Sequence, residues 1–576
     1  MITRRTADIG VAAIALALAV YLTNGLWAAP LHRAIEVNSG DQALFEWLLS
    51  YGAHAIINGE NPLYTAWLNA PDAVNLAVNT SITVYAVAFA PLTLWLGPAV
   101  SFTVILTLNL AGTAYAWYWL FQRHLNAAPV AAAIGGLFAG FAPAMVSHAN
   151  AHLNWTAQWL VPLMIGRVVI MSQRRRPWKD GIILGLLIAA CFSIAAEQLF
   201  FAALAGTLLT VVWALRSRED AKAKFRPVIQ GLAVAAAVSG VLLAYPLYLH
   251  FLGPYGYHGT GFDHRIHNED LAAFGAYPAR SLAGAAGLWK QLAPNPTEEN
   301  SFFGLPLLIL AVAAFVWLRR RPIVFAIGVT SLAFAVLSLG PQLRWMGHLT
   351  PVPLPELLID KLPIFNAALP SRLALVVAPG IGALLALLIT ELPRAKRRWV
   401  WITALAVALV PLFPTPLLVR ERPPVPHFIS AGTWEQYVPD GGVLVPVPIP
   451  NDLVPDGQRW QAEVFAQPGG PAFTIPAGFF LGPGGPDGTG RIGPIPRYTQ
   501  TLLEDVAKTG YVPPVTDSER ARVRADLEYW GGSAIVLADD VQGAHWETHQ
   551  PALLDVMTKL LGPPERVADV WLWRVS

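Results

Sequence analysis

The sequence predicts a mainly α, polytopic membrane helix bundle of about eleven transmembrane helices, followed by a C-terminal extracytoplasmic α/β domain. The chain of 576 residues is 55% hydrophobic and only 13% charged, and its mean hydropathy is +0.47. Soluble domains carry about 25% charged residues. Long apolar runs recur up to residue 417, and beyond residue 420 the composition becomes that of a soluble domain.

The first apolar run extends from Ile9 to Ala29 and follows Arg4 and Arg5. A secretory signal peptide is the alternative, but its apolar core usually has only about 7–15 residues. The run is long enough to cross a bilayer, so we interpret it as an uncleaved first helix. The single cysteine, Cys191, excludes a fold held together by intramolecular disulfides.

Further apolar segments have the length of transmembrane helices. They lie near 99–121, 128–147, 156–172, 180–196, 198–215, 228–250, 303–318, 322–340, 372–391 and 399–417. Basic clusters separate alternate pairs of them, at 4–5, 122–124, 174–176, 216–226, 319–321 and 394–398. Because positively charged short loops stay in the cytoplasm, this order of spans places the N-terminus inside and the C-terminus outside.

The segment 80–96 disturbs this count, because it is apolar but contains Pro91 and ends at Gly97-Pro98. As a full span it would place the cluster 174–176 outside. We therefore expect a re-entrant or interfacial pair of helices, which occurs at membrane depth only where protein or water satisfies the backbone. A twelfth span is the alternative.

This topology places the polar segments outside, in loops 30–80, 251–302 and 341–371 and in short turns at 147–155 and Glu197. We divide the chain into a transmembrane domain, 1–419, and an extracytoplasmic α/β domain, 420–576. Strands are predicted at 441–448, 534–538 and 570–575, and helices at 551–561 and, with Ser518 as N-cap, at 518–530. We interpret this domain as a stabilising cap rather than as a second active site.

Asp41 lies just outside the first predicted helix, in the segment Asn38-Ser39-Gly40-Asp41-Gln42. The pattern from Phe45 to Ile57 predicts an amphipathic helix along the membrane surface. Asp41 would then lie at the positive end of this helix, which favours the ionised carboxylate that a general base needs. Because Asp is also a favoured N-cap, a purely capping role stays open.

The order of these features resembles the GT-C superfamily of polytopic glycosyltransferases, which use polyprenyl-phosphate-linked sugars on the external face. The resemblance rests on the first helix, on Gly40-Asp41-Gln42, on the segment 59–64 (Gly-Glu-Asn-Pro-Leu-Tyr), and on the segment 362–373 before a late helix. It implies that Asp41 deprotonates the acceptor hydroxyl. Some members have an acidic pair where this chain has Asp41-Gln42, so we expect no cofactor and leave a divalent metal open.

A lipid-phosphate donor needs cations where charge develops on the leaving phosphate. Arg372 is the first candidate, because an arginine at the mouth of a membrane helix is costly unless it is paired or lines a cavity. Arg also binds phosphate in a bidentate manner, and snorkelling to the interface is the alternative. Lys361 and Arg280 are further candidates on the same side.

Several other polar side chains are candidates for binding the substrate: Gln42, Glu46, Glu197, His148, His152 and His264. Glu197 interrupts an apolar stretch and is a functional candidate by default, unless it is exposed in a turn. His148 and His152 are four residues apart, but zinc normally takes a third ligand, so sugar contact is favoured over metal. His264 lies in a polar loop, 262–270, which is either a lid or a solvated loop.

These observations predict an inverting glycosyltransferase of the bacterial inner membrane with Asp41 as general base. It would move an arabinofuranose- or mannose-type sugar from a polyprenyl-phosphate carrier to an extracytoplasmic glycan or glycolipid acceptor, in cell wall biogenesis. The alternatives are a glycolipid transporter or flippase, a non-catalytic membrane assembly protein, and a lipid-carrier hydrolase. Membrane lipids are the other expected partners. No nucleic-acid partner is expected, because topology explains the basic clusters.

Overall fold

The computed structural model describes residues 4–395 and 397–575. Lys396, in the predicted basic cluster 394–398, lies outside the described residues. The α-helices are α1 (Arg4–Leu22), α2 (Asn24–Ala28), α3 (Ser39–Asn58), α4 (Thr83–Ala88), α5 (Ala90–Leu96), α6 (Pro98–His124), α7 (Pro129–Phe141), α8 (Pro143–His148), α9 (Leu160–Met171), α10 (Trp178–Arg216), α11 (Arg218–Leu252), α12 (Leu305–Leu318), α13 (Pro322–Ser338), α14 (Val377–Glu391), α15 (Arg398–Leu409), α16 (His427–Ser430), α17 (Asp456–Phe465), α18 (Tyr498–Thr509), α19 (Asp517–Trp530) and α20 (Gln550–Leu561).

The strands are short. They are β1 (Arg33–Ile35), β2 (Tyr64–Thr65), β3 (Val74–Asn75), β4 (Gln342–Trp345), β5 (His348–Pro353), β6 (Val419–Glu421), β7 (Val443–Pro446), β8 (Leu481–Gly482), β9 (Arg491–Ile492), β10 (Gly532–Ala538), β11 (Glu565–Val567) and β12 (Val570–Arg574). Short 3₁₀ helices connect these elements, and the one at Pro370–Val376 leads directly into α14.

Helices of membrane-spanning length and composition make up much of the described chain. Five are long and apolar enough to cross a membrane: Arg5–Leu22, Pro98–His124, Trp178–Arg216, Arg218–Leu252 and Pro370–Arg394. Five shorter apolar helices accompany them: Pro129–Phe141, Leu160–Met171, Leu305–Leu318, Pro322–Ser338 and Arg398–Leu412. The protein therefore carries the apolar helices that the composition predicts.

Two of the predicted spans fall within one helix. The segments 180–196 and 198–215 both belong to α10, in which Ala195 departs from helical geometry (φ −154°, ψ 80°). No proline interrupts the sequence on either side of this residue, so the helix resumes beyond the kink. The separate turn that we predicted at Glu197 is replaced by this kink.

The segment 80–96 forms two short helices, α4 and α5. Each has fewer than eight residues, whereas a membrane-spanning helix needs about 20. The structure therefore contains a pair of short helices here. Gly97 ends α5 with φ +85°, a backbone conformation that glycine adopts without steric cost.

The chain divides into two compact units. The first comprises Met1–Gly25, Ile105–Ala244 and Phe262–Leu417, and the second comprises Leu26–Val104, Tyr245–Gly261 and Leu418–Ser576. The second unit resumes beside the predicted boundary at 419/420, but it also contains two segments that the sequence analysis assigned to the transmembrane domain. The physical reason is packing, since α3 in the first of these segments lies against α17 in the C-terminal part.

The first unit has a core of apolar helices packed through small residues. A Cβ at Gly135 of α7 would lie 2.4 Å from the carbonyl oxygen of Gly382 in α14, and one at Gly382 would lie 2.7 Å from the carbonyl oxygen of Gly135. Such close approach lets membrane helices gain van der Waals contact where the hydrophobic effect is weak. Buried aromatic side chains, including Tyr118, Phe121 and Phe303, fill the surrounding core.

The second unit contains a four-stranded mixed sheet in the order β11-β12-β10-β7. β7 pairs with β10 in parallel, and β12 pairs with β10 and β11 in antiparallel fashion. The predicted tail strands correspond to β7, β10 and β12, and the predicted helices to α19 and α20. Thr516, not Ser518, caps α19, through a capping box with Glu519.

The helix α3 is a buried element of the second unit, which corrects the predicted amphipathic surface helix. Nearly all its residues from Ala43 to Ala55 are buried. Trp47 stacks on Tyr51 and meets the ring of Phe465 edge-on. The sequence misled because the polar side chains on this helix are matched by partners from distant segments rather than by water.

Candidate functional site

Arg372 lies at the centre of a buried ion-pair cluster in the first unit. Its Nε and Nη2 donate to Oε1 of Glu298 at 2.9 and 2.7 Å, and its Nη1 donates to Oε2 of Glu197 at 3.1 Å. The guanidinium carbon also lies 5.3 Å from the ring centre of Trp155. The 3₁₀ helix at Pro370–Val376 positions Arg372 immediately before α14.

Glu298 is the most constrained carboxylate of this cluster, with only 1% of its surface exposed. Besides Arg372, its Oε2 accepts from Ser371 at 3.2 Å and from Asn300 at 2.9 Å. Burial opposes its ionisation, but the charge of Arg372 and its hydrogen bonds outweigh burial and hold the pKa of Glu298 well below its usual range. Glu298 is therefore ionised at any physiological pH.

Two histidines complete the cluster. Nδ1 of His148 lies 2.8 Å from Nδ1 of His152, and the His148 ring stacks on Trp155 at 5.4 Å. His148 is fully buried, and burial lowers its pKa well below the usual value. Its imidazole is therefore neutral, as a metal ligand must be.

The residues present fit a divalent metal. One ligand atom from each of His148, His152 and Glu298 can be chosen so that all three lie within 4.8 Å of one another. Two imidazoles and one carboxylate are a donor set that zinc uses when it keeps a further position open. A metal bound here would add positive charge beside a cluster in which two carboxylates face one guanidinium.

The loops around the cluster are joined by further buried polar contacts. The Ser147 hydroxyl donates to the carbonyl of Pro296 at 3.0 Å and accepts from the amide of Glu299 at 2.8 Å. Burial raises the pKa of Glu299 to about 7, and burial raises that of Glu269, which is paired with Ser301, well above its usual range. These contacts hold the loop that carries Glu298 against the segment that carries the histidines.

Asp41 lies in the second unit, in the first turn of α3. Asn38 is the N-cap of this helix, and its amide Nδ2 donates to Oδ2 of Asp41 at 2.6 Å. Gly40 is required beside it, because a Cβ there would lie 2.4 Å from the carbonyl oxygen of Asp452. Asp41 is therefore not the N-cap. Its carboxylate is half-buried and is oriented by the N-cap residue, Asn38.

Titratable groups from the C-terminal segment surround Asp41. Burial, Glu504 and Asp41 itself raise the pKa of Asp452 to about 6. Burial and Arg420 lower the pKa of His545, against the opposing charge of Asp41. Arg420 also donates to the Ser39 hydroxyl at 2.8 Å. Asp41 thus lies near a carboxyl group and an imidazole whose pKa values burial shifts.

Gln42 and Glu46 use their hydrogen-bonding capacity within the second unit. Gln42 accepts from the amide of Ile35 at 2.8 Å and donates to Glu46 at 2.8 Å. Glu46 in turn receives Nη1 of Arg422 on both oxygens, at 2.9 and 2.8 Å. These contacts tie β1 and the segment after β6 to α3, so both side chains support the position of Asp41.

The remaining predicted site residues lie apart from the Arg372 cluster contacts. His264 pairs with Glu356 at 2.9 Å. Lys361 is exposed and, within the described residues, forms no ion pair. Arg280 is half-buried, and its charge reaches Glu299.

The structure thus brings together four predicted residues in the first unit, Arg372, Glu197, His148 and His152, and places Asp41, Gln42 and Glu46 in the second. Sequence reasoning missed Glu298, although a run of polar residues, 297–301, stands just before α12 as Arg372 stands before α14. It also missed Asp452 and His545, which carry no local signal because they lie in loops of the tail.

The protein is similar to solved structures of an archaeal oligosaccharyltransferase and of ArnT. The Archaeoglobus fulgidus oligosaccharyltransferase in complex with Zn and sulfate matches with a TM-score of 0.50 and 13% identity, over 92% of this chain and 68% of that chain. The archaeal oligosaccharyltransferase AglB of the same organism, with an inhibitory peptide and a dolichol-phosphate, gives 0.47 and 11%, over 92% and 69%. ArnT from Cupriavidus metallidurans bound to undecaprenyl phosphate gives 0.35 and 12%, over 69% and 62%.

The first of these likenesses defines the class: the protein has a GT-C-like fold. A family model described as "Domain of unknown function (DUF6311)" matches residues 52–412, and the chain belongs to this family. No curated protein matches the chain.

Proposed function

We propose that the protein is an inverting glycosyltransferase that uses a polyprenyl-phosphate sugar, with Asp41 as general base. The GT-C-like fold supports the class of reaction. The observation that carries the role of Asp41 is its place in the first turn of α3, where the helix dipole favours a carboxylate, while Asn38 supplies the cap. The capping alternative thereby loses its main support.

In the proposed reaction, Asp41 takes the proton of an acceptor hydroxyl as the hydroxyl oxygen attacks the anomeric carbon of the donor. The bond between the anomeric carbon and the phosphate oxygen breaks, and polyprenyl phosphate leaves with the bonding electrons. One displacement of this kind inverts the anomeric centre. Asn38 holds the carboxylate for the incoming hydroxyl, and general-base catalysis of this kind contributes about 10²–10⁴ in rate.

The proposed cations for the donor phosphate differ in what else they bind. Arg372 would have to give up a contact with Glu298 or Glu197 to bind a phosphate. Lys361 is exposed and Arg280 is half-buried, so both can approach a phosphate at less cost. Gln42, Glu46, Glu197, His148, His152 and His264 remain the proposed polar environment of the substrates. A divalent metal on the histidine pair and Glu298 would supply positive charge near Arg372.

We further propose a bacterial inner-membrane location, with Asp41 and Arg372 both outside the cytoplasm. The sugar would be of the arabinofuranose or mannose type, and the acceptor a glycan or glycolipid of the cell envelope. The positive charge of the short loops supports this orientation. The C-terminal residues 420–576, with their mixed sheet, would then stand on the external side.

The substitution Asp41→Asn tests the proposal. It removes the base but keeps the size of the side chain and one bond to Asn38, so we expect transfer from polyprenyl-phosphate arabinofuranose or mannose to fall by about 10²–10⁴. The measurement is radiolabelled sugar transfer by the purified full-length protein in lipid vesicles. The matched control is Asp505→Asn, which changes an exposed carboxylate of α18 in the same unit and should leave the rate unchanged.

Transfer by Asp41→Asn at the wild-type rate would remove Asp41 as the base. A protein that moves the glycolipid across the vesicle membrane without transferring sugar, equally well with Asp41 or Asn, would be a flippase instead. Equal thermal melting of the two variants would show that neither change unfolds the protein.

A further inference from the structure

The second unit contains a cleft of about 660 Å³ that none of the roles above uses. We call it the Tyr529 cleft, and it is lined chiefly by α19, by the segment 494–500 and by the segment 69–75. Pockets for small ligands typically measure about 300–1,000 Å³. The cleft is therefore large enough for a short oligomeric ligand.

Two tyrosine rings that line this cleft are each stacked by an arginine. Tyr529 is 43% exposed although it lines a cavity, and the guanidinium of Arg497 lies 4.0 Å from the centre of its ring. Arg522 covers the ring of Tyr498 in the same way, at 3.8 Å. Stacking of a planar cation on each ring fixes the ring plane.

The polar groups behind the rings are held by buried contacts. Asp526, 4% exposed, accepts from Nε of Arg497 at 2.7 Å and from the amide and hydroxyl of Thr499 at 2.8 and 2.7 Å. The Tyr529 hydroxyl donates to Asp72 at 2.9 Å. These hydrogen bonds fix the side chains before a ligand arrives. Binding would therefore not cost the entropy of ordering them.

One amide side chain that lines the cleft makes no hydrogen bond to the described residues. Gln500 lines the cleft with only 6% of its surface exposed, and its side chain makes no hydrogen bond within the described part of the chain. Its amide therefore has both its donor and its acceptor available to a ligand in the cleft.

The backbone of the cleft is also strained. Asn69 and Tyr255 both line it, and both have positive φ, 66° and 54°. Such conformations are uncommon for residues other than glycine and persist where the surroundings enforce them, often at ligand sites. The two residues lie on segments that are far apart in sequence.

The charges of the cleft cancel. Its lining contains two arginines, Arg497 and Arg522, and two aspartates, Asp72 and Asp526, so the formal sum is zero. A strongly charged ligand has no net attraction here. A neutral ligand with apolar faces and many hydroxyls matches both the rings, whose faces attract polarised C–H bonds, and the planar amides, carboxylates and guanidinium groups.

We propose that the Tyr529 cleft binds a neutral saccharide chain, with the sugar faces against Tyr529 and Tyr498 and the hydroxyls on Gln500 and the Asp526–Arg497 pair. If the proposed function holds, on which this last step rests, the saccharide is the acceptor glycan. The cleft then holds a part of the acceptor away from the hydroxyl that reacts.

The test is binding of the full-length protein, in detergent micelles, to an immobilised array. The array carries neutral four-residue oligomers of arabinose and of mannose, a galacturonate oligomer of equal length, and a proline-rich peptide. We expect one of the neutral oligomers to bind, and Tyr529→Ala, Gln500→Ala and the exposed Arg522→Gln each to lower its affinity at least tenfold (about 1.4 kcal/mol). The matched control is Tyr511→Ala, because Tyr511 is 67% exposed and does not line the cleft.

Binding of only the acidic oligomer or only the peptide would overturn the proposal, as would no binding at all. Equal binding by Tyr529→Ala and Arg522→Gln would do the same, and Arg522→Gln guards against a folding defect because its side chain is on the surface. The two proposals fail separately: Asp41→Asn should bind the array like the wild type while losing transfer. Tyr529→Ala should lose binding and retain the proposed base.

Discussion

Arg372 takes its partners from two distant parts of the chain, Glu197 in α10 and Glu298 in the loop before α12. An arginine at the edge of a membrane helix is tolerated when it is paired, and here two carboxylates provide the pairing. The sequence identified Arg372 and Glu197 from the cost of a polar group among apolar neighbours, and the two histidines from their spacing of four residues. It gave no means of pairing them, because the contacts join residues more than seventy positions apart.

The Arg372–Glu298 pair predicts that replacing the charged Glu298 by an uncharged glutamine strongly lowers the stability of the protein. Glu298→Gln leaves Arg372 with a single carboxylate in a buried site, and breaking such a pair costs about 3–5 kcal/mol. We expect a clearly lower apparent melting temperature of the purified protein in detergent. The control, Glu219→Gln, changes an exposed ion pair with Lys222 and should cost about 0–1 kcal/mol. Equal melting of both variants would contradict the structural role of the pair.

At the scale of elements, the apolar patterns predicted where helices form. They did not predict whether each helix is buried or lies at a surface. The spans at 99–121 and 372–391 correspond to α6 and to the helix that continues into α14, and the segment 80–96 forms the expected short pair. The pattern on α3 predicted a surface helix, but the helix is buried, because Arg422 and Asn38 match its polar side chains. A helical spacing of polar residues indicates a helix, but it does not show whether each polar side chain contacts water or another side chain.

The close approach of α7 and α14 predicts that a glycine-to-alanine substitution destabilises the protein at Gly135 but stabilises it at Gly206. Gly135→Ala places a Cβ 2.4 Å from the carbonyl oxygen of Gly382, and overpacking of this kind costs about 1–3 kcal/mol. Gly206→Ala, in α10, meets nothing within 4 Å and should stabilise the helix by about 0.5–1 kcal/mol. Thermal melting of both variants in detergent checks the pair. Stabilisation by Gly135→Ala would show that the two helices do not pack through these glycines.

At the scale of the whole molecule, the apolar helices and the GT-C-like fold agree with a membrane protein. The positions of the basic loops in the sequence predict that the long polar segments lie outside, and this stays a prediction. The division into two compact units was not foreseen, because residues 26–104 precede most of the apolar helices and yet pack with the C-terminal segment. The contact between α3 and α17 and the pairing of β1 with β6 reveal this arrangement.

The proposed orientation predicts which residues a membrane-impermeant reagent reaches. In a Cys191→Ala background, Asp505→Cys in α18 should react with an impermeant maleimide in intact cells. Glu219→Cys, at the start of α11 and 89% exposed, should react only after the membrane is permeabilised. Both positions are exposed, so side-chain burial does not explain a difference between them. The reverse pattern would invert the topology and place the proposed active site in the cytoplasm.

The sequence by itself determined the class of the protein, most of its apolar helices, the strands and helices of its tail, and Asp41 as a carboxylate beyond the first helix. These features follow from local composition and period, because burial of apolar residues and helix or strand formation depend on near neighbours. The tertiary structure decided that Asn38 caps α3 and that Asp452 and His545 surround Asp41. It also decided that Arg372 is paired and that a neutral cleft lies beside Tyr529. Each of these depends on contacts between residues far apart in the chain, and the pattern of one segment does not record its distant partners.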